Sequence, residues 1–347
     1  ELLRTRSGRI SKKPDRYGQW SCITFKDPET VKEAMESNEA ELWKQAMNRE
    51  IDAIEANDVW TLVKRPEHVK VIPTKWIFKT KVDQNGQPTI RKARLVARGF
   101  VQTEGEDYTE TFSPVIRFDT VRLLLAVAVQ NKMWIHQLDM VTAFLNGTIE
   151  EEIYVSQPEG FVDRQYPKHV CKLSKSLYGL KQAPLCWNKE LDTFLTESGF
   201  ARSEQDMCLY SLGQDDRRLY VMIYVDNLLI VSSTEEDLNS FKKIISERFL
   251  SKDLGPISSF LGVSVHYEND KLFMHQRTYA ESVVNDLGMH DCNPVATPVP
   301  TGFVLETNKN EKVKPDSYRS VIGSLLYLTT RTRPDLSYIV GVLARHV

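Results

Sequence analysis

The chain has 347 residues, 41% of them hydrophobic and 27% charged, with a formal net charge of −2, enough for a sizeable core and two or three subdomains. It holds no run of 18 apolar residues, and its basic start, ELLRTRSGRISKKPDRYG, lacks the apolar stretch of a signal peptide, which argues against a membrane span and against secretion. Cys22, Cys171, Cys186, Cys208 and Cys292 form no CxxC pair, so packed, reduced thiols are expected in place of a disulfide framework or a zinc site. In chain order, residues 1–38 have no apolar period and read as a basic flexible linker. ELWKQAMNREIDAIEAND then sets Trp43, Met47, Ile51 and Ile54 at helical spacing, and Asn57-Asp58 ends the pattern. KWIFKTKV and TIRKARLVARGF flank Asn85-Gly86, a hairpin signal, with Lys75, Lys79, Lys81, Lys92, Arg94 and Arg98 able to share one face.

The charge is unevenly spread. Residues 61–100 hold ten Lys or Arg against Glu67 and Asp83, a balance of +8. Such a run is ordinarily a solvated face; a polyanion that exchanges its counterions for these cations is the alternative. Further along, TVRLLLAVAVQNKM reads as a buried helix and WIHQLDM as a strand. LSKSLYGLKQAPLCWNKELDTFLTESGF begins as a loop and becomes a helix with Trp187, Leu191 and Leu195 on one side. DMCLYSL and the polar turn GQDDRR lead to LYVMIYV-DN-LLIVSS, a strand, tight turn and strand. TEEDLNSFKKIISERF is a Thr-capped helix, with Leu238, Phe241, Ile244 and Ile245 at fitting positions. SSFLGVSVHYENDKLFMHQ is a hairpin, TYAESVVNDLGM a helix, NPVATPVPTG a proline-rich connector and SYRSVIGSLLYLTT a helix. RPDLSYIVGVLARHV opens as a helix and stops in mid-pattern, as expected of a piece of a longer parent. Helices mixed with antiparallel hairpins indicate an α+β fold.

Two acidic positions stand out. Asp139 lies where a strand gives way to a helical turn, the place of an ordinary helix cap. Asp226-Asn227 is by itself a hairpin-turn pair. Together, two strand ends that each offer a carboxylate could hold hard cations that prefer oxygen. A pair of such ions can activate an attacking hydroxyl and stabilise a departing pyrophosphate, while a basic hairpin covers the triphosphate.

KARLVARGF (92–100), ETFSPV (110–115), HQLDMVTAFLNG (136–147), EEIYVSQPEGF (151–161), CKLSKSLYGLKQAPLCW (171–187) and LYVMIYVDN (219–227) resemble the reverse transcriptase of copia-type retrotransposons. FLGVSV (260–265), NPVATPVP (293–300) and YRSVIGSLLYLTTRTRPDLSYIV (318–340) continue the resemblance, which covers about residues 40–347. It implies a right-hand polymerase with an antiparallel palm sheet: a linker over 1–38, fingers over 39–118, a palm over 119–265, and over 266–347 a thumb and the start of a connection, cut before an RNase H domain. It also implies primer extension on an RNA or DNA template from deoxynucleoside triphosphates, with two Mg²⁺ ions or Mn²⁺ in their place. Asp139 and Asp226 match the catalytic, metal-holding carboxylates, and the carbonyl of Met140 is a further ligand. Arg94 and either Lys79 or Lys81 match the residues that grip the triphosphate, Phe144 matches the gate against a ribose 2′-hydroxyl, and Gln182 falls in the loop lining the nucleotide and template pocket. Leu261-Gly262 resembles the hairpin that holds the primer end. RNase H and integrase regions of the same polyprotein are the implied partners, and a cytoplasmic virus-like particle or the nucleus the implied location. Asn227 departs from the family, which has a second Asp there. A neutral amide is a weaker ligand for a hard cation, so impaired polymerisation is expected; a non-catalytic module that binds primer–template or RNA is the alternative.

Overall fold

In the computed structural model, residues 27–82, 87–214, 217–268, 270–300, 302 and 315–346 are described. Residues 1–26 of the expected linker, the Asn85-Gly86 turn and Asp215-Asp216 lie outside them. The fold is mixed helix and sheet and divides into two compact units between Ile257 and Ser258, ahead of the boundary expected after residue 265.

The first unit opens with helices α1 (Val31–Glu36) and α2 (Ala40–Ala56), then strands β1 (Trp60–Val63), β2 (Val71–Ile72), β3 (Thr74–Val82) and β4 (Pro88–Ala97). Helix α3 (Phe118–Gln130), strands β5 (Trp134–Met140), β6 (Tyr154–Val155) and β7 (Val170–Leu173), and helix α4 (Ala183–Glu197) follow. Strands β8 (Ala201–Arg202), β9 (Leu209–Gln214), β10 (Arg217–Tyr224) and β11 (Asn227–Ser232), helix α5 (Glu235–Arg248) and strand β12 (Ser251–Pro256) complete it.

Segment 31–36 corrects the linker expectation. Thr30 caps α1 by accepting from the Glu33 N–H, and Ala34 is fully buried in the core. A six-residue helix with one buried residue escapes a search for long apolar periods. Helix α2 buries Trp43, Ala46, Met47, Glu50, Ile51 and Ile54 at helical spacing, and it ends where Asp58 enters the left-handed region at φ 51°. Its buried stripe packs on the β3–β4 hairpin, with Trp43 edge-on to Phe78 at 5.3 Å.

Strand alternation turns the even residues of β3 and the odd residues of β4 inward, with Arg91, Ala93, Leu95 and Ala97 buried on β4. Trp76, Phe78 and Thr80 are buried, whereas Lys75, Lys79 and Lys81 are exposed. The register sets Ile77 opposite Arg94 and Lys79 opposite Lys92, so these cations share one face as expected. A second sheet has the order β1-β7-β6-β2, and a six-stranded sheet has the order β12-β5-β11-β10-β9-β8. In β11, Leu228 to Val231 are fully buried, which explains the uninterrupted apolar run: both faces of this strand are covered. Helix α3 contacts β5 and β11 but is amphipathic, with Leu123 67% exposed, and Ile244 of α5 likewise faces outward. Length and hydropathy make α3 look buried; only the placement of the sheet selects its inner side.

The second unit contains a sheet of β13 (Ser259–Phe260), β14 (Val263–Glu268) and β15 (Lys271–His275), with helices α6 (Arg277–Asp286), α7 (Pro315–Arg331) and α8 (Ser337–Ala344). Residues 293–300 form neither helix nor strand, in keeping with a connector. Cys171, Cys186 and Cys208 are free and buried, and burial pushes their thiols up to about 12, 11 and 12 respectively; Cys292 is exposed, contrary to the packed thiol expected there. Among the described residues no helix is long and apolar enough to cross a membrane.

Candidate active site

Strands β5 and β11 are antiparallel neighbours, with Asp139 opposite Asn227. Asp139 therefore sits on a strand and caps no helix. On its other side it faces Lys252 of β12, so a carboxylate, an amide and an ammonium group lie in one cross-strand row. Tyr224 pairs with Asn227, leaving Val225-Asp226 as a two-residue hairpin loop. Val225 takes φ 56°, a left-handed conformation that costs a β-branched residue roughly 1–2 kcal/mol. Two hydrogen bonds hold the loop in place: the Met140 N–H donates to the Asp226 carbonyl at 2.7 Å, and the Trp187 indole N–H donates to the Val225 carbonyl at 2.6 Å. Asp139, Met140, Asp226 and Asn227 are thus brought together by main-chain pairing.

The Asn227 amide donates to the Asp226 carboxylate, Nδ2 to Oδ1, at 3.0 Å. The opposite amide orientation would set oxygen against oxygen, so the donor faces the carboxylate. Burial raises the pKa of Asp139 above the ordinary carboxylate value, the charge of Asp226 raises it further, and Lys81, Lys92 and Lys252 oppose the rise. Burial also lowers the pKa of Lys92, aided by Arg94 and Lys81. Asp139 and Lys92 therefore each carry a charge that burial penalises.

Lys81, Lys92, Arg94, Glu50, Thr142 and Tyr178 are among the residues lining a cavity of about 380 Å³. This separates the two candidate lysines: Lys81 lines the cavity, while Lys79 is 76% exposed and lies 3.8 Å from Asp27. Arg94 rests on the Tyr178 ring, 5.0 Å from its centroid, and the half-buried Phe144 packs on the same ring at 4.9 Å.

Gln182 departs from expectation. It is 1% exposed; its carbonyl accepts from Gln102 at 3.0 Å, and its amide donates to the Asp107 carbonyl at 2.9 Å. Its hydrogen-bonding groups are committed to the loop at 102–107, so it supports the site's wall without lining the cavity. Leu261 and Gly262 form a tight turn in the second unit with φ 51° and 75°, held by the Tyr327 hydroxyl donating to the Leu261 carbonyl at 2.8 Å. Sequence reasoning missed Tyr178, Glu50 and the indole bond of Trp187. The only signal for Tyr178 was the Gly that follows it; Glu50 and Trp187 read simply as positions on helices.

A family model described as reverse transcriptase (RNA-dependent DNA polymerase) matches residues 57–301. Similar proteins include the retrovirus-related Pol polyproteins from transposon RE2 of Arabidopsis thaliana, 40% identical over 94% of this chain and 22% of that protein, and from RE1 of the same plant, 38% identical over 99% and 23%. The Pol polyprotein from transposon TNT 1-94 of Nicotiana tabacum is 36% identical over 98% of this chain and 27% of its own length. The chain thus spans about a quarter of the length of these curated relatives. Among solved structures, a foamy viral protease–reverse transcriptase with double-stranded DNA aligns at a TM-score of 0.40 and 13% identity, over 82% of this chain and 40% of that one.

Proposed function

Because the chain belongs to the reverse transcriptase (RNA-dependent DNA polymerase) family, as a domain of copia-type Pol polyproteins, we propose that it extends a primer on an RNA or DNA template from deoxynucleoside triphosphates, and does so weakly because of Asn227. In this reading the first unit supplies fingers and palm, and the second begins the thumb. The observation that carries it is the pairing of Asp139 with the Asp226-Asn227 turn, near a basic hairpin whose Lys81 and Lys92 act electrostatically on Asp139.

The donor chemistry fits a divalent cation. Two carboxylates crowd each other's charge, and the Met140 carbonyl adds an oxygen one residue on; Asp139, Asp226 and that carbonyl are the proposed ligands. When bound, Mg²⁺, or Mn²⁺ in its place, supplies Lewis acidity for the attacking hydroxyl and the departing pyrophosphate. In this reading the set is one carboxylate short for two ions, because Asn227 stands where the family resemblance expects a second Asp. Asn227 lacks the charge, and its amide N–H also engages the Asp226 oxygen. Losing a partner outside the direct ligands costs about 10–100-fold in affinity or activity, and a direct ligand position should cost at least that.

The remaining roles rest on the family resemblance. Arg94 and Lys81 grip the triphosphate from the hairpin, Phe144 excludes the ribose 2′-hydroxyl, and the Leu261-Gly262 turn holds the primer end. RNase H and integrase regions of the parent polyprotein would act on the same nucleic acid, in a cytoplasmic particle or in the nucleus. Primer extension on an RNA template with Mg²⁺ and with Mn²⁺, comparing this chain with Asn227→Asp, tests the reading. Extension by Asn227→Asp far above the parent is the expected result. Equal extension by both defeats the account of Asn227. Template binding with extension by neither favours the non-catalytic binding module.

A further inference from the structure

Arg94 and Phe144 both pack against the Tyr178 ring. The Arg94 guanidinium carbon lies 5.0 Å from the Tyr178 ring centroid, and the Phe144 ring lies 4.9 Å from that ring at an interplanar angle of 56°. Arg94 and Tyr178 both line the cavity, whereas Phe144 stands in the 3₁₀ turn Ala143–Asn146 that follows Asp139 and Met140. A single ring therefore touches the side chain assigned to the triphosphate and the side chain assigned to the sugar. Those two side chains come from elements far apart in sequence.

The main chain of Tyr178 is held independently of its ring. The Ala97 N–H donates to the Tyr178 carbonyl at 2.7 Å. Gly179 takes φ 91°, and a Cβ there would stand 2.1 Å from the Ala97 carbonyl oxygen; a Cβ on Gly99 would meet the Gly179 oxygen at 2.0 Å. Backbone packs on backbone here, so the loop's path does not depend on the phenol. Burial pushes the hydroxyl up to about 12, with Glu50, Asp226 and Asp139 adding to the rise and Arg94 opposing it. The ring is thus a neutral platform within the field of both carboxylates, suited to a cation on its face.

We propose that Tyr178 is a positioning residue that couples triphosphate recognition to sugar discrimination: its ring aims Arg94 and backs Phe144. This rests on the reading of Arg94 and Phe144 above. Displacing either neighbour lets the ring shift, so a change at one recognition point reaches the other.

The test uses the whole chain on an RNA template with a dideoxy-terminated primer, in Mg²⁺ and in Mn²⁺. Nucleotide-dependent retention of the primer–template is measured with the next templated deoxynucleoside triphosphate and with its ribonucleotide counterpart. Tyr178→Phe keeps the ring and should leave both affinities unchanged. Tyr178→Leu should weaken deoxynucleotide binding by about threefold to thirtyfold, the span of a cation–π contact, and bring the two nucleotides' affinities closer together. Affinity for primer–template without nucleotide should stay the same. Arg94→Ala, a change at the cavity wall that leaves the loop intact, should also bring the two affinities closer. The coupling is overturned if Tyr178→Leu moves only one of the two quantities, if it lowers primer–template affinity in parallel, or if Arg94→Ala leaves discrimination untouched. Absence of nucleotide-dependent retention in the parent and in Asn227→Asp alike overturns the underlying site reading, and the coupling with it.

Discussion

Asn227→Asp changes two interactions at once, and both can be sized. The substitution removes the amide donor that reaches the Asp226 carboxylate at 3.0 Å and installs a third carboxylate opposite Asp139. A hydrogen bond to a charged group contributes about 1.5–3 kcal/mol. Two like charges at about 4 Å repel by about 4 kcal/mol at an effective dielectric of 20. Asp226 and Asn227 are only half-buried, so solvent takes up much of both. A net loss of about 2–3 kcal/mol in the absence of divalent ions is left, equivalent to several degrees in melting temperature. Thermal unfolding of parent and variant in chelator, and then in Mg²⁺, measures it. The variant should melt lower in chelator at pH 7 and recover in Mg²⁺ by more than the parent does. The sign of the pH dependence follows from the raised pKa of Asp139: its contribution is full below its ordinary value of 3.8 and is lost as pH rises through the folded value. An added like charge enlarges that loss, so the two melting curves should converge in acid. Equal melting temperatures in chelator at pH 7 would refute both the hydrogen bond and the crowding of charge.

Four other changes probe the same frame. Arg94→Ala should weaken nucleotide use far more than primer–template binding in paired titrations; equal losses count against its role at the triphosphate. Phe144→Ala should admit ribonucleotides in the Asn227→Asp background, and an unchanged sugar preference in single-nucleotide extension defeats the gate. Gly179→Ala combines a left-handed φ with a Cβ 2.1 Å from the Ala97 oxygen, so chemical denaturation should show a loss of about 2–4 kcal/mol. Burial raises the pKa of Glu50, opposed by its bond from the Leu95 N–H at 3.2 Å. Its contribution is therefore full below its ordinary 4.5 and falls as pH climbs, and Glu50→Gln should gain on the parent between acid and pH 7 in urea midpoints.

Residue pattern alone determined the α2 stripe, the alternating basic hairpin, the Thr234 cap of α5 and the apolar strands around Asp226. Each is a local matter, because burial on a helix or strand repeats every few residues and a cap is satisfied within one turn. The family resemblance, carried by ordered motifs, then named Asp139 and Asp226 as partners. That they do meet was decided by strand order, which pairs β5 with β11 across a long stretch of intervening chain. The same holds for the choice of Lys81 over Lys79, which depends on which hairpin end reaches the cavity. The burial of Gln182 was not legible for this reason as well: its partners Gln102 and Asp107 are remote in sequence, and no local pattern marks an amide they enclose. Tyr178 reaches Arg94 and Phe144 only because two glycines let its loop approach β4 backbone to backbone. Periodicity specifies which side of an element is buried; only packing between distant elements specifies what that side meets.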